Sequence, residues 1–179
     1  DGLDLSKPLS SELLDRVMQA LGKFGVLRFP QQSLSGVELK RFSSQLGDLE
    51  MNVAGGFREP GHPEVMILSN IVEGGKPIGL SDAGQDWHTD MSYSRQIAFA
   101  NVLYGIKIPR RDGRPLGATE FCNMHAAYDD LSPAMQRELE DMTVLHDFEK
   151  FWEMMRREKG SDRPPLTDAQ RRAKPPVSH

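Results

Sequence analysis

The tetrapeptide Trp87-His88-Thr89-Asp90 sets an imidazole and a carboxylate two residues apart. In extended backbone, side chains at i and i+2 leave the same face. His88 and Asp90 would then stand side by side, with Trp87 and Thr89 turned the other way. Such a pair is two-thirds of a 2-His-1-carboxylate facial triad, the ligand set of non-haem Fe(II) oxygenases. The tripeptide alone is not specific, because a surface strand with two polar residues reads the same. Three other histidines are weaker candidates for a third ligand. His62 sits in the turn Pro60-Gly61-His62-Pro63, His125 precedes a helix, and His146 lies in Leu145-His146-Asp147-Phe148. Gly55-Gly56 and Gly74-Gly75 lack the strand-to-helix setting of a nucleotide loop. No Ser-His-Asp or Cys-His arrangement can be argued.

The elements that must position the pair are read from periodicity and punctuation. Leu13, Leu14, Val17, Met18 and Leu21 recur at helical spacing, with Ser10 or Ser11 as N-cap and Gly22 and Gly25 at the end. Residues 26–29 follow as a short strand stopped by Pro30. A second helix starts after Ser35, with Val37, Leu39, Phe42 and Leu46 on its apolar face and Gly47 just past it. Residues 65–72 are a run of strand formers before the turn-rich 73–77. Residues 97–108 alternate well enough for a long strand, 110–115 make a polar turn, and 118–123 predict the returning strand. Cys122 lies in that apolar strand and is expected to be buried and inert. Ser132-Pro133 opens a helix running to about Met142, and 148–159 predicts another. From Gly160 onward the chain is polar and Pro-rich, the composition of a mobile loop or linker. Strands joined by loops, with helices before and between them, point to a sandwich or barrel with helical decoration.

Composition narrows the function classes. The chain has 179 residues, and 22 Lys+Arg against 26 Asp+Glu give a formal net charge of −4. This mild acidity argues against a general nucleic-acid binder, and no basic stripe is visible. No apolar stretch approaches the roughly 18 residues of a transmembrane helix, and no signal-peptide pattern is seen. The single cysteine, Cys122, rules out an intrachain disulfide framework. A chain of this length buries about two-thirds of its unfolded surface and needs neither disulfide nor metal to fold.

The segment Gln85-Asp86-Trp87-His88-Thr89-Asp90-Met91-Ser92-Tyr93 resembles the iron-binding segment of the taurine dioxygenase-like family of Fe(II)/2-oxoglutarate-dependent dioxygenases, the taurine / dichlorophenoxyacetate dioxygenase type. Gly117-Ala118-Thr119-Glu120-Phe121, Ala126-Ala127-Tyr128-Asp129-Asp130-Leu131-Ser132 and Leu145-His146-Asp147-Phe148 also resemble it, in the family's order. So do the opening, Gly2 to Leu9, and the closing Pro175-Pro176-Val177-Ser178-His179. The resemblance implies a mainly β fold with helices, built on a double-stranded β-helix (jelly-roll) core of which this sequence is an incomplete portion. Residues 1–159 would be part of a single dioxygenase domain, and 160–179 a loop or linker leading into its C-terminal part.

The resemblance also implies the chemistry. Fe(II) would be bound by His88 and Asp90, and Thr119 would hydrogen-bond a carboxylate of the co-substrate 2-oxoglutarate. The product side would be a hydroxylated small organic acid or sulfonate, with succinate and CO2. The partners implied are that small molecule and O2, without nucleic acid or membrane, in a cytoplasmic setting. Homo-oligomers are common in the family. In the family the second histidine ligand and an arginine that grips the distal carboxylate of 2-oxoglutarate lie far downstream, beyond the position of His179, which matches a non-ligand histidine. The sequence therefore reads as a portion of a longer enzyme. By alignment Asn52, Gly55 and Gly84 stand where a taurine-specific pocket carries larger groups, which points to a different or bulkier substrate. Trp152 falls near an aromatic pocket position, with a core-covering helix residue as the other reading, and Trp152 to Met155 could form a lid or simply packing. The alternative to an enzyme is a truncated or degenerate jelly-roll relative without catalysis that binds a metal or ligand weakly.

Overall fold

The computed structural model of the chain describes residues 2–51, 56–84, 86–161 and 163–179. Along these residues run α1 (Ser11–Phe24), α2 (Gly36–Ser44), β1 (Arg58–Glu59), β2 (His62–Met66), β3 (Val72–Glu73), β4 (Lys76–Pro77), β5 (Arg110–Arg111), β6 (Arg114–Pro115), α3 (Met124–Asp129), α4 (Pro133–Leu139), β7 (Leu145–His146), α5 (Phe148–Arg157), α6 (Asp168–Ala173) and β8 (Val177–Ser178). Two compact units result. One joins Asp1–Gly47 to Val102–Met142, the other Asp48–Asn101 to Thr143–His179.

In the first unit, local sequence accounts for the helix ends. The Ser10 hydroxyl accepts from the Leu13 amide to start α1, and Gly25, at φ 70°, closes it. Ser35 and Glu38 form a reciprocal capping box on α2. Val17 and Phe42 from these helices bury against Leu5 and Leu9, and Phe29 meets Phe42 edge-on at 5.9 Å. Two glutamine amides fasten the N-terminal arm to this core. Gln32 accepts from the Leu5 amide and donates to the Leu3 carbonyl, while Gln45 does both for Leu9. Ser132 caps α4 and Pro133 occupies its first turn, as the sequence predicts.

The strands differ from expectation. Residues 26–29 join no strand ladder among the described residues; Leu27 and Phe29 instead pack half-buried on the helical core. Residues 97–108 and 118–123 likewise join no strand ladder among the described residues. Between them only the Asp112-Gly113 hairpin pairs, β5 with β6, its two turn residues at φ 51° and 76°. Cys122, expected to be buried, is exposed. Alternation encodes which face is apolar but not which strand lies alongside, and a strand is fixed only by its partner. The described sheets are all two-stranded, so these residues do not by themselves close a jelly-roll.

The second unit is pinned by short pairings. β1 and β2 form an irregular hairpin, β3 pairs with β4 across Gly74-Gly75, and Leu68 bridges Leu80. At that bridge the Leu80 amide donates to the Ile67 carbonyl at 2.9 Å and the Ser69 amide to the Leu80 carbonyl at 3.1 Å. Phe148 and Trp152 of α5 form the core with Leu166, and Tyr93 packs on Phe148 at 4.6 Å. The stretch 160–179, read from composition as a mobile loop or linker, carries α6 and β8 among its described residues. β8 pairs antiparallel with β7. The signal under the proline content is a second capping box, Thr167 with Gln170.

Candidate metal centre

His88 and Asp90 lie beyond the 67–69 bridge, in a loop rather than a strand. The i, i+2 juxtaposition holds all the same: His88 Nε2 lies 3.0 Å from Asp90 Oδ1. Met91, at φ 60°, turns the chain directly after the pair. Both side chains are about half exposed, so reactants can approach.

Each member is held by its other polar atom. His88 Nδ1 lies 2.6 Å from the Asp86 carbonyl oxygen. A carbonyl only accepts, so Nδ1 carries the proton. Nε2 is then the atom aimed at the carboxylate, as an imidazolium N–H or as a lone pair sharing a cation with it. Asn101 Nδ2 donates to Asp90 Oδ2 at 2.7 Å, leaving Oδ1 toward the histidine. Metal-bound histidines are commonly fixed in this way through their second nitrogen. Two ligands about 2.1 Å from one ion and at right angles to each other lie about 3.0 Å apart. The observed Nε2–Oδ1 separation fits that arrangement, and an imidazole with a carboxylate suits Fe(II). Among the described residues no third His, Cys, Asp or Glu completes a metal cluster.

Three residues beyond Asp90, Tyr93 donates its hydroxyl to Met91 Sδ at 3.1 Å. Burial pushes its phenol above the ordinary value, and the negative charges of Asp90 and Glu50 push the same way. Lys174 answers these charges, with Nζ 3.2 Å from Glu50, 3.0 Å from Ser94 Oγ and over the Tyr93 ring.

The remaining expected site residues fall in different places. Thr119 belongs to the first unit, on an exposed stretch outside any helix or strand. Trp152 is buried in the core of the second unit, its indole donating to the Pro164 carbonyl at 2.7 Å. Asn52 and Gly55 lie outside the described residues. Gly84 lies against the His88 ring, where an added Cβ would sit 4.0 Å from Cε1. The His146 and His179 rings meet at a tilt, with centroids 5.7 Å apart and planes at 55°, and His179 also reaches the Ser94 carbonyl. Sequence reasoning missed Asn101 and the Asp86 carbonyl. Asn101 did leave a trace, as the lone polar side chain between Ile97 and Leu103.

The family model described as "Taurine catabolism dioxygenase TauD, TfdA family" matches residues 1–179, and the chain belongs to this family. It is 32% identical over 135 residues to pentalenolactone F synthase of Streptomyces arenae, covering 74% of this chain and 44% of that one. It is 31% identical over 161 residues to the alpha-ketoglutarate-dependent 2,4-dichlorophenoxyacetate dioxygenase of Burkholderia sp. strain RASC, covering 82% and 51%. A solved Burkholderia xenovorans structure, assigned as an alpha-ketoglutarate-dependent 2,4-D dioxygenase, shares its fold at TM-score 0.57 and 22% identity, over 99% of this chain and 57% of that one. The chain thus spans about half the length of these relatives. Among the described residues no helix is long and apolar enough to cross a membrane.

Proposed function

We propose that the chain carries the His-x-Asp half of the iron site of a 2-oxoglutarate-dependent dioxygenase. Its two units would belong to one dioxygenase domain with a jelly-roll core. The reaction is hydroxylation of a small organic acid or sulfonate with O2, converting 2-oxoglutarate to succinate and CO2. Two relatives named for a carboxylate, 2,4-dichlorophenoxyacetate, support the organic-acid class. The lone cysteine and the use of a central metabolite suit a cytoplasmic setting. A non-catalytic jelly-roll relative has less support, since the relatives named above carry enzyme names.

The observation that carries this reading is the 3.0 Å approach of His88 Nε2 to Asp90 Oδ1, with the second polar atom of each side chain already engaged. Fe(II), when bound, supplies the activation of O2 that couples decarboxylation of 2-oxoglutarate to insertion of oxygen into a C–H bond. The chain's own part is to orient and retain. The Asp86 carbonyl keeps the proton on Nδ1, so that Nε2 can serve as a ligand. Asn101 keeps one carboxylate oxygen of Asp90 turned toward it. Thr119 Oγ1 is assigned, from the family likeness, to a carboxylate of 2-oxoglutarate.

The test is succinate release by the full-length protein, with and without Fe(II), in wild type and His88→Ala. Loss of iron-dependent turnover by a factor of at least about 100 is expected for removal of a metal ligand. Unchanged succinate production by the variant overturns the assignment.

A further inference from the structure

Among the described residues between Leu80 and His88, which are 81–84 and 86–87, the segment that carries the metal pair forms no helix or strand, so something else must hold it. Upstream, the backbone at Gly79 and Leu80 is pressed on residues 67–69. Downstream, the described contacts of this arm are polar. Asp82 Oδ1 accepts from Arg163 Nη2 at 3.0 Å, and Asp82 Oδ2 accepts from the Ser161 hydroxyl. Asp86 faces Lys159 at 3.5 Å, but both are exposed, and such a pair is screened and weak.

The Asp82–Arg163 contact is of another kind. The Arg163 side chain is only 7% exposed and that of Asp82 17%. The guanidinium lies over the rings of Trp152, at 5.2 Å, and Phe151, at 5.7 Å. Its Nε and Nη1 have no hydrogen-bond partner among the described residues, and Asp82 accepts from its Nη2. A buried ion pair of this sort is weak evidence for stability, because desolvation offsets the attraction and an apolar pair packs as well. What it does provide is direction, since a planar guanidinium accepts its partner in few geometries.

Arg163 to Leu166 are themselves fastened to α5. The Arg163 carbonyl accepts from Arg156 Nε at 3.0 Å, the Pro164 carbonyl accepts from the Trp152 indole, and Leu166 is buried beside Trp152. Asp82 therefore ties the arm to the α5 core six residues before His88. Between the two, Gly84 lies against the imidazole and the Asp86 carbonyl holds its Nδ1.

We propose that Asp82 and Arg163 are positioning residues for the His88–Asp90 metal pair: they fix the arm so that Nε2 and Oδ1 meet one ion. The inference rests on the proposed metal role of that pair. It is separable from that role by experiment, because neither positioning residue touches the ion.

The probe is Co(II) titrated into the metal-free, full-length protein under anaerobic conditions, read by its visible absorption, with thermal unfolding followed in parallel. The variants are Asp82→Asn, Arg163→Met, both together, and His88→Ala. Arg163→Met keeps an unbranched chain on the two rings but removes the fork. Each single positioning variant is expected to weaken Co(II) binding about tenfold, within the range seen when groups that orient metal ligands are removed. The double variant should lose no more than either single one, since the two act as one unit. A purely structural role would lower the unfolding temperature but leave Co(II) affinity and spectrum unchanged, and that result overturns the proposal. Should a single variant fail to fold, the apolar pair Asp82→Leu with Arg163→Met decides: weakened Co(II) binding by a folded protein supports the role, and wild-type binding overturns it. Wild-type Co(II) binding by His88→Ala overturns instead the reading of the pair as a metal site.

Discussion

Asp90 offers two oxygens, and only one of them faces His88. The other is engaged by Asn101, eleven residues on, at 2.7 Å. Without that bond the carboxylate can rotate about its last torsion and present either oxygen or neither. Asn101→Ala is therefore expected to weaken Fe(II) or Co(II) binding about tenfold while leaving the unfolding midpoint nearly unchanged, because the amide is exposed. Isothermal titration of the metal-free protein checks this; affinity equal to wild type shows that Asp90 orients without help. His88 and Asp90 could be read from the sequence because two residues of spacing bring them together in any extended or gently turned backbone. Asn101 could not, since its partner is set by how the 91–101 loop closes. Asp82 and Arg163 are 81 residues apart, and nothing local links them.

At the scale of elements, helices were legible and strands largely were not. α1, α2 and α4 begin where serine caps stand, and those caps are local hydrogen bonds that a few adjacent residues complete. β-structure depends on partners far along the chain, so the apolar runs at 26–29 and 97–108 predicted strands where no ladder forms among the described residues. The parallel bridge of Leu68 with Leu80 left only one sequence sign, Gly79. An added Cβ there would lie 2.7 Å from the Ser69 nitrogen and 2.8 Å from the Ile67 carbonyl oxygen. Both are backbone atoms that cannot swing aside, so Gly79→Ala must push the two segments apart. A cost of about 1–3 kcal/mol is expected for such overpacking. Because the arm to His88 starts at this bridge, metal affinity should fall with it. Denaturant unfolding of the variant beside wild type measures the first effect; equal midpoints would mean that the two segments are not held this closely.

At the scale of the whole chain, the described residues leave much apolar surface uncovered. Leu103, Ile106 and Phe121 in the first unit and Phe99 in the second are each more than 60% exposed, on backbone that joins no ladder among the described residues. Exposed apolar side chains on backbone without a ladder partner mark association sites or aggregation hazards. The formal charge of −4 gives only modest repulsion against association. The 179-residue chain, prepared by itself, is therefore expected to bind a hydrophobic dye such as anilinonaphthalene sulfonate and to self-associate as its concentration rises. Ile106, at 80% exposure, is the most solvent-facing of the four, so Ile106→Lys should reduce both effects without disturbing the core around Val17 and Phe42. Dye fluorescence and sedimentation velocity over a hundredfold concentration range read the outcome. A monomer throughout, with no dye enhancement, would mean that these segments are covered in solution by the chain's own residues. Their apolar faces would then not be the surface on which the rest of a sheet is built.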